Sequence, residues 1–316
     1  MAGQRGTLGA DNRSIEPRFG PRWLNIHAQS IARTVTAGPL HINRGDIEVS
    51  SRRQAREAPA RRQRVQSVAT GIALLKVLGR LGGVASLTAI AAEVGEMPAK
   101  VHRYLASLIE QGLVIQNTDT QHYQLGPEVI HLGLAAMRLV DPIRAAEPAM
   151  LRLCEDLGVT CTLAVLGNLG PTIVRWQEPR RPLTVNVRAG SVMPVLWSAS
   201  GRVFLACAGD ARLLDMARHE LSEASADLRA SLDRRRPIER LCESVLSNGY
   251  ALAVDTLIKG LSAVAVPIVD FSGRVCAALA VLGTASSIDT SANSALIKAV
   301  CKEGLAISRS LGRVDD

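Results

Sequence analysis

The hydrophobic pattern between residues 65 and 127 predicts three helices followed by two short strands. The first helix is marked by apolar residues at helical spacing, namely Val68, Ile72, Leu75 and Leu78. A short second helix is expected between Ser86 and Gly95. Two strand-like runs, 113–116 and 121–125, then flank a turn at 117–120. This order is typical of a winged helix-turn-helix, whose third helix enters the major groove of DNA.

The third helix of this unit carries the most informative pattern. It is expected to begin at Pro98, because proline suits a first helical position, and to stop before Gly112. Its apolar stripe consists of Val101, Leu105, Leu108 and Ile109. Arg103 lies on the opposite side of the helix, where it could meet DNA. The alternative from the pattern alone is a small helical domain that binds no DNA.

Beyond residue 127 the pattern predicts a mixture of helices and strands. The expected helices cover about 128–138, 143–157, 198–208, a stretch ending near 248, and 290–311. The expected strands are 160–167, 172–177, 183–187, 250–254, 261–269 and 274–282. Strands gathered in a sheet with helices packed on it define an α+β domain.

The net charge of +8 is concentrated at the start of the chain. Residues 1–64 contain 12 arginines, no lysine and 5 acidic residues, which gives +7, whereas residues 65–127 are neutral overall. Attraction to phosphates grows with the number of cations that displace counterions. The tail, which lacks periodicity and is expected to be disordered, would therefore have to assist binding, with Arg61, Arg62 and Arg64 placed to reach a minor groove. A solvated linker or a later translation start are the alternatives.

Composition and motifs argue against several other classes. No uncharged apolar stretch of 18 residues and no signal peptide is visible, so a cytoplasmic protein without a membrane partner is expected. The six cysteines form no C-x-x-C pair, which favours buried reduced thiols over a metal site. The common nucleophile, metalloprotease and nucleotide-binding motifs are absent from the sequence, so neither an enzyme nor a cofactor is expected.

Residues 66 to about 311 resemble the IclR family of bacterial transcription regulators. The resemblance rests on the order and spacing of short motifs: Gln66-Ser-Val68, Ala92-Glu-Val-Gly95, Val101-His-Arg-Tyr-Leu105, Tyr123-x-Leu-Gly126, Gly190-x-x-x-Pro194, Ala199-Ser-Gly-Arg202, Gly249-Tyr250, and Ala265-Val-Pro267 followed by Asp270 and Gly273. The family commonly places proline two residues after the glycine, followed by Lys-Ser-Thr. This chain departs from that pattern, because Pro98 follows Gly95 by three residues and precedes Ala-Lys.

The resemblance implies an α+β multidomain protein. After the tail at 1–64 it implies a winged helix-turn-helix at 65–127 and a linker helix at 128–142, whose apolar side would bury against a second protomer. A GAF-like domain at 143–316 would bind a small-molecule effector and assemble a homodimer or tetramer on a double-stranded DNA operator.

Several residues are expected to contact DNA. Arg103 is the first candidate, because a guanidinium can hold either guanine or a phosphate, and Lys100 could reach a phosphate. His102 is expected to pack or to contact the DNA backbone rather than to read a base. Ser67 is expected to cap the first helix and could meet a phosphate there. The remaining candidates on the third helix are Ala99 and Ser107.

The resemblance places an effector pocket between residues 190–194 and the later strands. The candidate contacts are Gly190, Ser191, Met193, Trp197, Asp255, Ala263 and Leu282. Backbone N–H groups near Gly190 and Ser191, and the side chain of Arg202, could serve an anion. Positions that resemble the polar contacts of acid-binding members are apolar here, at Ala253, Ala263, Ala280 and Leu282. An aromatic or otherwise largely apolar effector is therefore expected.

Two other functions stay open at this point. One is a constitutive DNA-binding protein whose C-terminal domain only forms oligomers, which the apolar pocket positions make worth testing. The other is an enzyme with a site of a non-standard kind. A ligand that binds only the folded protein would raise its melting temperature, which separates a regulator from the constitutive alternative.

Overall fold

A computed structural model describes residues 65–180, 185–292 and 294–314 of the chain. The chain folds as two compact units that divide between Val140 and Asp141. The first unit contains helices α1 (Gln66–Arg80), α2 (Leu87–Val94), α3 (Pro98–Glu110) and α4 (Pro127–Met137), and strands β1 (Val84–Ala85), β2 (Val114–Gln116) and β3 (Tyr123–Leu125).

The first unit is a winged helix-turn-helix, as the pattern predicts. Its three strands form an antiparallel sheet in the order β1-β3-β2. The three helices α1 to α3 pack around a core that includes Leu74, Leu78, Ile90 and Leu105, all fully buried. Ser86 caps α2 by accepting a hydrogen bond from the amide of Ala89.

Helix α1 differs from the sequence expectation in which face it buries. The residues that point into the core are Thr70, Leu74, Val77 and Leu78. Val68 and Ile72, expected in the buried stripe, are 62% and 49% exposed. The helix carries two apolar stripes, and periodicity alone does not say which one the core takes.

The expected cap of α1 is also corrected by the structure. Val65 occupies the N-cap position, and no side chain caps the helix. Ser67 is the second helical residue and is exposed. Strand β1 was not predicted, because two residues are too few to show alternation.

The second unit is an α+β domain built on one sheet. Its strands are β4 (Thr160–Gly167), β5 (Gly170–Gln177), β6 (Ala251–Val254), β7 (Leu261–Val269) and β8 (Val275–Thr284), all antiparallel, in the order β5-β4-β8-β7-β6. Its helices are α5 (Pro142–Leu157), α6 (Ala199–Cys207), α7 (Ala211–Glu223), α8 (Ala226–Ala230), α9 (Pro237–Asn248) and α10 (Ala295–Ser310).

The two faces of this sheet are covered by different helices. Small residues such as Ala278 and Ala280 on β8 share a core with α6, including the fully buried Phe204. Alternate strand residues face the other way, where α5 and α10 pack, and Gly304 of α10 lies against Val266 of β7. The alanine-lined face brings α6 close to the sheet and so forms the floor of the cavity described below.

Part of the sequence expectation for this unit does not hold. Residues 185–187, expected to end a strand, are irregular, and residues 183–184 of that expected strand lie outside the described residues. The chain that follows hydrogen-bonds to β5 instead, since the amide of Gly190 donates to the carbonyl of Ile173 at 2.7 Å. Helices α7 and α8 were not assigned from the pattern. Among the helices that the structure describes, none is both long and apolar enough to cross a membrane.

Candidate DNA-binding surface and effector cavity

The ends of α3 are fixed by local sequence. Pro98 is the first helical residue, and Gly112 adopts a left-handed conformation with φ of 68° just past the end. The amide of Leu113 donates to the carbonyl of Leu108 at 3.0 Å, and the amide of Gly112 donates to Ile109 at 2.9 Å. These two bonds form a Schellman motif, which sets the angle at which the chain leaves α3.

One face of α3 is buried and the other is open. Val101 and Leu105 are buried in the core, whereas Ile109, expected to widen the buried stripe, is exposed. Arg103 is exposed on the opposite face, and its side chain makes no ion pair or hydrogen bond with any residue the structure describes. The open face therefore presents an unpaired guanidinium.

The other candidates on α3 are placed as follows. Ala99 and Ser107 are exposed. His102 is exposed as well, so the packing role expected for it is corrected. Lys100 is half-buried, and its Nζ lies 2.6 Å from Oε1 of Glu96. Such a surface ion pair is weak, so a phosphate could still attract this lysine.

The electrostatics of the first unit depend on few cations. Two of the five lysines and arginines between residues 65 and 140 pair with carboxylates, Lys100 with Glu96 and Arg80 with Glu93 at 3.6 Å. The wing is short, and Asn117 holds its turn by accepting from the amides of Asp119 and Thr120. The tail candidates Arg61, Arg62 and Arg64 lie outside the described residues.

The second unit contains a cavity of about 70 Å³ between α6, the sheet and the segment before α6. Three of its residues form one row across neighbouring strands, because Ala253 of β6 pairs with Ala263 of β7, which pairs with Leu282 of β8. Thr162 of β4 pairs with Ala280 in the next row. Cross-strand register thus gathers residues that are far apart in sequence.

Among the expected effector contacts, Met193, Ala263 and Leu282 line this cavity, as do Ala253 and Ala280. The other residues that line the cavity were not among the expected effector contacts. They are Thr162, Ile173, Trp176, Val185, Val187, Ser198, Ala199, Ser200, Leu257, Ile258, Leu261 and Ser262. Strand alternation around Ala263 and Leu282 could have found Thr162, but only if the pairing of β4 with β8 were known.

The cavity is apolar with a few hydroxyl groups. None of the described residues that line it is charged. Thr162, Ser200 and Ser262 are only 3%, 5% and 2% exposed, and none of the hydrogen bonds within the described chain involves their hydroxyls. No fully buried side-chain oxygen of the described chain lacks a partner, so these hydroxyl oxygens must be accessible from the cavity. The hydroxyl of Ser198 is different, since it donates to Pro194 and accepts from the amide of Gly201. Three hydroxyls on the cavity wall are therefore free to bind a ligand.

The expected anion contacts at the loop are already occupied. The amide of Gly190 donates to Ile173, and the amide of Ser191 donates to the carbonyl of Arg188 at 3.0 Å. Neither residue lines the cavity. The amide of Gly190 holds the loop against β5 and that of Ser191 closes a turn within the loop, so the expectation that they bind an anion is corrected.

Two further candidates stand beside the cavity rather than on its wall. Trp197 is buried in the core between α6 and the sheet, and its carbonyl accepts from the hydroxyl of Thr256 at 2.7 Å. Asp255 is exposed, and its carboxylate accepts from the amide of Gly260 at 2.6 Å. Both have structural roles, one in packing and the other in a turn.

Glu220 of α7 holds the segment that leads into α6. Its two carboxylate oxygens accept from the amides of Val195 and Leu196 at 2.7 and 2.8 Å. These bonds fix the backbone between Met193, on the cavity wall, and the start of α6. Sequence reasoning missed this residue, because it lies 24 residues or more from its partners.

The cysteines behave as small hydrophobic residues. All six are free thiols, and Cys154 and Cys161 are buried. Burial raises the pKa of Cys161 and Cys207 to about 12 and that of Cys242, Cys276 and Cys301 to about 11. These thiols stay protonated at neutral pH and are poor nucleophiles. The described residues contain no group of His, Cys, Asp and Glu that could hold a metal ion.

A winged helix with an open arginine face, joined to an α+β unit with an apolar cavity, defines a DNA-binding transcription regulator with an effector domain. Two family models match the chain: bacterial transcriptional regulator IclR C-terminal at residues 135–309, and the IclR helix-turn-helix domain at residues 67–118. The chain belongs to the IclR family of bacterial transcription regulators.

Individual relatives agree with this assignment. HTH-type transcriptional regulator BhcR of Paracoccus denitrificans is 27% identical over 71% of this chain and 79% of its own length. The probable transcriptional regulator SauR of Cupriavidus necator is 30% identical over 66% of this chain and 82% of its own. The crystal structure of Pseudomonas aeruginosa HmgR is 34% identical, covers 78% of this chain and 98% of its own, and superposes with a TM-score of 0.70.

Proposed function

We propose that this regulator binds a palindromic operator through α3 and that a small molecule in the cavity of the second unit changes its affinity for DNA. The observation that carries the DNA half is the exposed, unpaired Arg103 on a helix whose other face is buried. The effector half is supported by a mostly apolar cavity whose wall carries three hydroxyls without a hydrogen-bond partner in the described chain. Control by the ligand requires that it prefer one of two arrangements of the protein.

The cavity favours a small and mostly apolar effector. Its volume of about 70 Å³ has room for roughly five water-sized groups, on a scale of about 10–15 Å³ per water. Apolar side chains such as Ile173, Met193 and Leu282 would contact the body of the ligand. The hydroxyls of Thr162 and Ser200 would bind one polar end, since each can donate or accept. A small aromatic ring or a short branched chain with one polar group fits this description.

Thermal melting against a panel of small aromatic and aliphatic compounds tests the effector. A binder should raise the melting temperature of the full chain and change its affinity for operator DNA. Ala263→Phe should abolish this effect, because the added ring fills the cavity. The matched control Ala226→Phe, at an exposed position of α8, should retain it. Stabilisation that persists in Ala263→Phe would contradict the proposed site. A binder that leaves DNA affinity unchanged would favour the constitutive alternative.

We propose that residues 1–64 add phosphate contacts that the first unit lacks. The support is the count of charges, since the tail holds 12 arginines while the winged helix is neutral. Deleting residues 1–64 should reduce the slope of log affinity against log salt, which follows the number of phosphates neutralised. An unchanged slope would show that the tail is only a linker.

We further propose that the chain acts as a dimer, or as a pair of dimers, on cytoplasmic DNA and performs no catalysis. The family, whose members are transcription regulators, supports a binding role. The support for self-association is α4, none of whose residues is buried despite an apolar sequence. Ile130, Leu134 and Met137 recur along one side of α4, and burying them would require another surface.

A further inference from the structure

A second cavity of the effector unit lies beside α6, on the side of α9 and the end of β6. Its volume is about 270 Å³, and it shares no lining residue with the effector cavity. Its walls combine apolar groups, such as Leu241 and Val245, with polar groups from Arg202, Arg240, Ser244 and Asn248. The mixture differs from the uncharged walls of the effector cavity and indicates a different kind of ligand.

Arg202 is the principal charged group of this second cavity. Its Nε donates to the carbonyl of Leu196 at 2.8 Å, and Nη1 donates to the carbonyl of Leu252. It pairs with no carboxylate in the described chain. A guanidinium has five N–H donors, so these two bonds leave donors unsatisfied. Burial lowers the pKa of Arg202 to about 10, which still leaves it charged at neutral pH. A partly desolvated cation without a counter-charge is unfavourable, and a bound anion would relieve this.

The neighbouring charges leave room for such an anion. Arg240 is exposed, and its Nη1 lies 3.0 Å from Glu243. Asp233 is the one acidic residue among the described lining residues, and its Oδ1 already accepts from the amides of Arg235 and Arg236 at 2.9 and 2.7 Å. Asp233 forms no ion pair with Arg202, because its carboxylate binds the backbone of its own turn.

We propose that this second cavity binds a small anion, a carboxylate or a phosphate, with Arg202 as its principal ligand and Arg240 at its edge. Both anion types accept hydrogen bonds from a guanidinium in the same two-pronged manner. The hydroxyl of Ser244 and the amide of Asn248, which are 3.1 Å apart, lie on the same wall and could bind the remaining oxygens.

The position of Arg202 would connect this anion to the effector cavity. Leu252, which accepts one of its bonds, directly precedes Ala253 on the effector cavity wall. Arg202 itself follows Ser200 by two residues on α6, whose first turn forms another part of that wall. An anion that shifts the guanidinium would therefore act on the backbone that shapes the effector site, which gives a route for coupling between two ligands.

Isothermal titration calorimetry of the full chain tests this site, with inorganic phosphate and acetate as separate probes. Each probe anion should replace chloride, so that the ionic strength is the same in every titration. Phosphate also stabilises proteins without binding a specific site, and only saturable binding distinguishes the two effects. We expect saturable binding of one anion per chain for at least one probe, and the preferred probe distinguishes a phosphate site from a carboxylate site.

Variants locate the binding. Arg202→Gln should weaken it by about tenfold or more, and Arg240→Gln by several-fold, as expected for loss of charge-assisted hydrogen bonds. Arg218→Gln is the matched control, an exposed arginine of α7 paired with Asp215 away from the cavity, and should bind as the wild type does. Ala263→Phe fills the effector cavity but removes no ligand of the anion, so it should still bind the anion, with at most a few-fold change through the shared backbone.

Absence of saturable heat with both probes would overturn the proposal. Wild-type affinity for the anion in Arg202→Gln would also overturn it. Loss of binding in Ala263→Phe would overturn it as well, because that result would place the anion in the effector cavity. If Arg202→Gln does not fold, Arg240→Gln tests the anion site instead, since that exposed side chain can be replaced without disturbing the core. Wild-type affinity in a folded Arg240→Gln would then contradict the site.

Discussion

Two basic residues of α3 illustrate how the environment of a side chain decides its role. Lys100 and Arg103 lie on the same helix, and both were expected to contact DNA. The structure pairs Lys100 with Glu96, whereas Arg103 stands exposed and unpaired. Sequence reasoning placed both on the open side of α3, but it could not show that one already has a carboxylate within 2.6 Å. Arg103 is therefore the residue on which sequence-specific binding should depend most.

Replacing Arg103 with alanine should weaken binding to specific DNA by more than about 1 kcal/mol and relax the base preference at one position, if the guanidinium reads a base. Fluorescence anisotropy with matched and scrambled duplexes measures both effects. Arg80→Ala removes the same charge from α1 and serves as the control. An equal loss of DNA affinity in both variants would mean that Arg103 only attracts phosphates. Wild-type affinity in Arg103→Ala would mean that Arg103 does not contact DNA.

At the scale of elements, close packing between helix and sheet depends on single glycines. Gly304 of α10 lies so close to β7 that an added Cβ would stand 2.5 Å from Cγ2 of Val266. Gly71 of α1 is also inside a helix, but an added Cβ there would have no neighbour within 4 Å. The same substitution should thus have opposite effects at the two positions.

Gly304→Ala should lower the free energy of unfolding by about 1–3 kcal/mol, because overpacking forces the helix away from the sheet. Gly71→Ala should raise it by about 0.5–1 kcal/mol, because alanine restricts the unfolded chain and favours the helix. Denaturant unfolding of the two variants beside the wild type measures both. A harmless Gly304→Ala would mean that α10 can move from β7 without loss.

The elements that sequence could predict are those with strong local signals. The proline start of α3 and the glycine ends at 95 and 112 all appear where the sequence expects them. The buried face of α1 could not be chosen, because two apolar stripes compete on it. The cavity was only partly predicted, because Thr162 joins Ala280 through pairing between β4 and β8, strands more than a hundred residues apart. Pairing between strands so far apart in sequence cannot be predicted from local hydrophobic periodicity.

At the scale of the whole molecule, the exposed apolar surface of α4 indicates that another protein surface binds there. Ile130 is 63% exposed and Leu134 is 48% exposed on a helix without a single buried residue. Isolated exposed apolar residues are ordinary, but a stripe of them along a helix marks an interaction surface. A second copy of the chain would also supply the second α3 that a palindromic operator requires.

Ile130→Glu should shift the chain toward monomer in sedimentation velocity and weaken operator binding by about tenfold or more, because each protomer then binds a half-site alone. The control Ala135→Glu places the same charge on the face of α4 that carries Glu128 and His131, and it should stay assembled. If both variants keep the wild-type mass and affinity, α4 does not hold the protomers together.

Selection of bound duplexes from a random DNA pool by the full-length protein tests the proposed DNA recognition most directly. Two copies of α3 should enrich an inverted repeat whose half-sites are about one helical turn, or 10–10.5 base pairs, apart or a multiple of that distance. The same selection with Arg103→Ala should lose the preference at one or more positions in each half-site. Recovery of no consensus sequence by the wild-type protein, or of the same consensus by the variant, would contradict recognition through this helix.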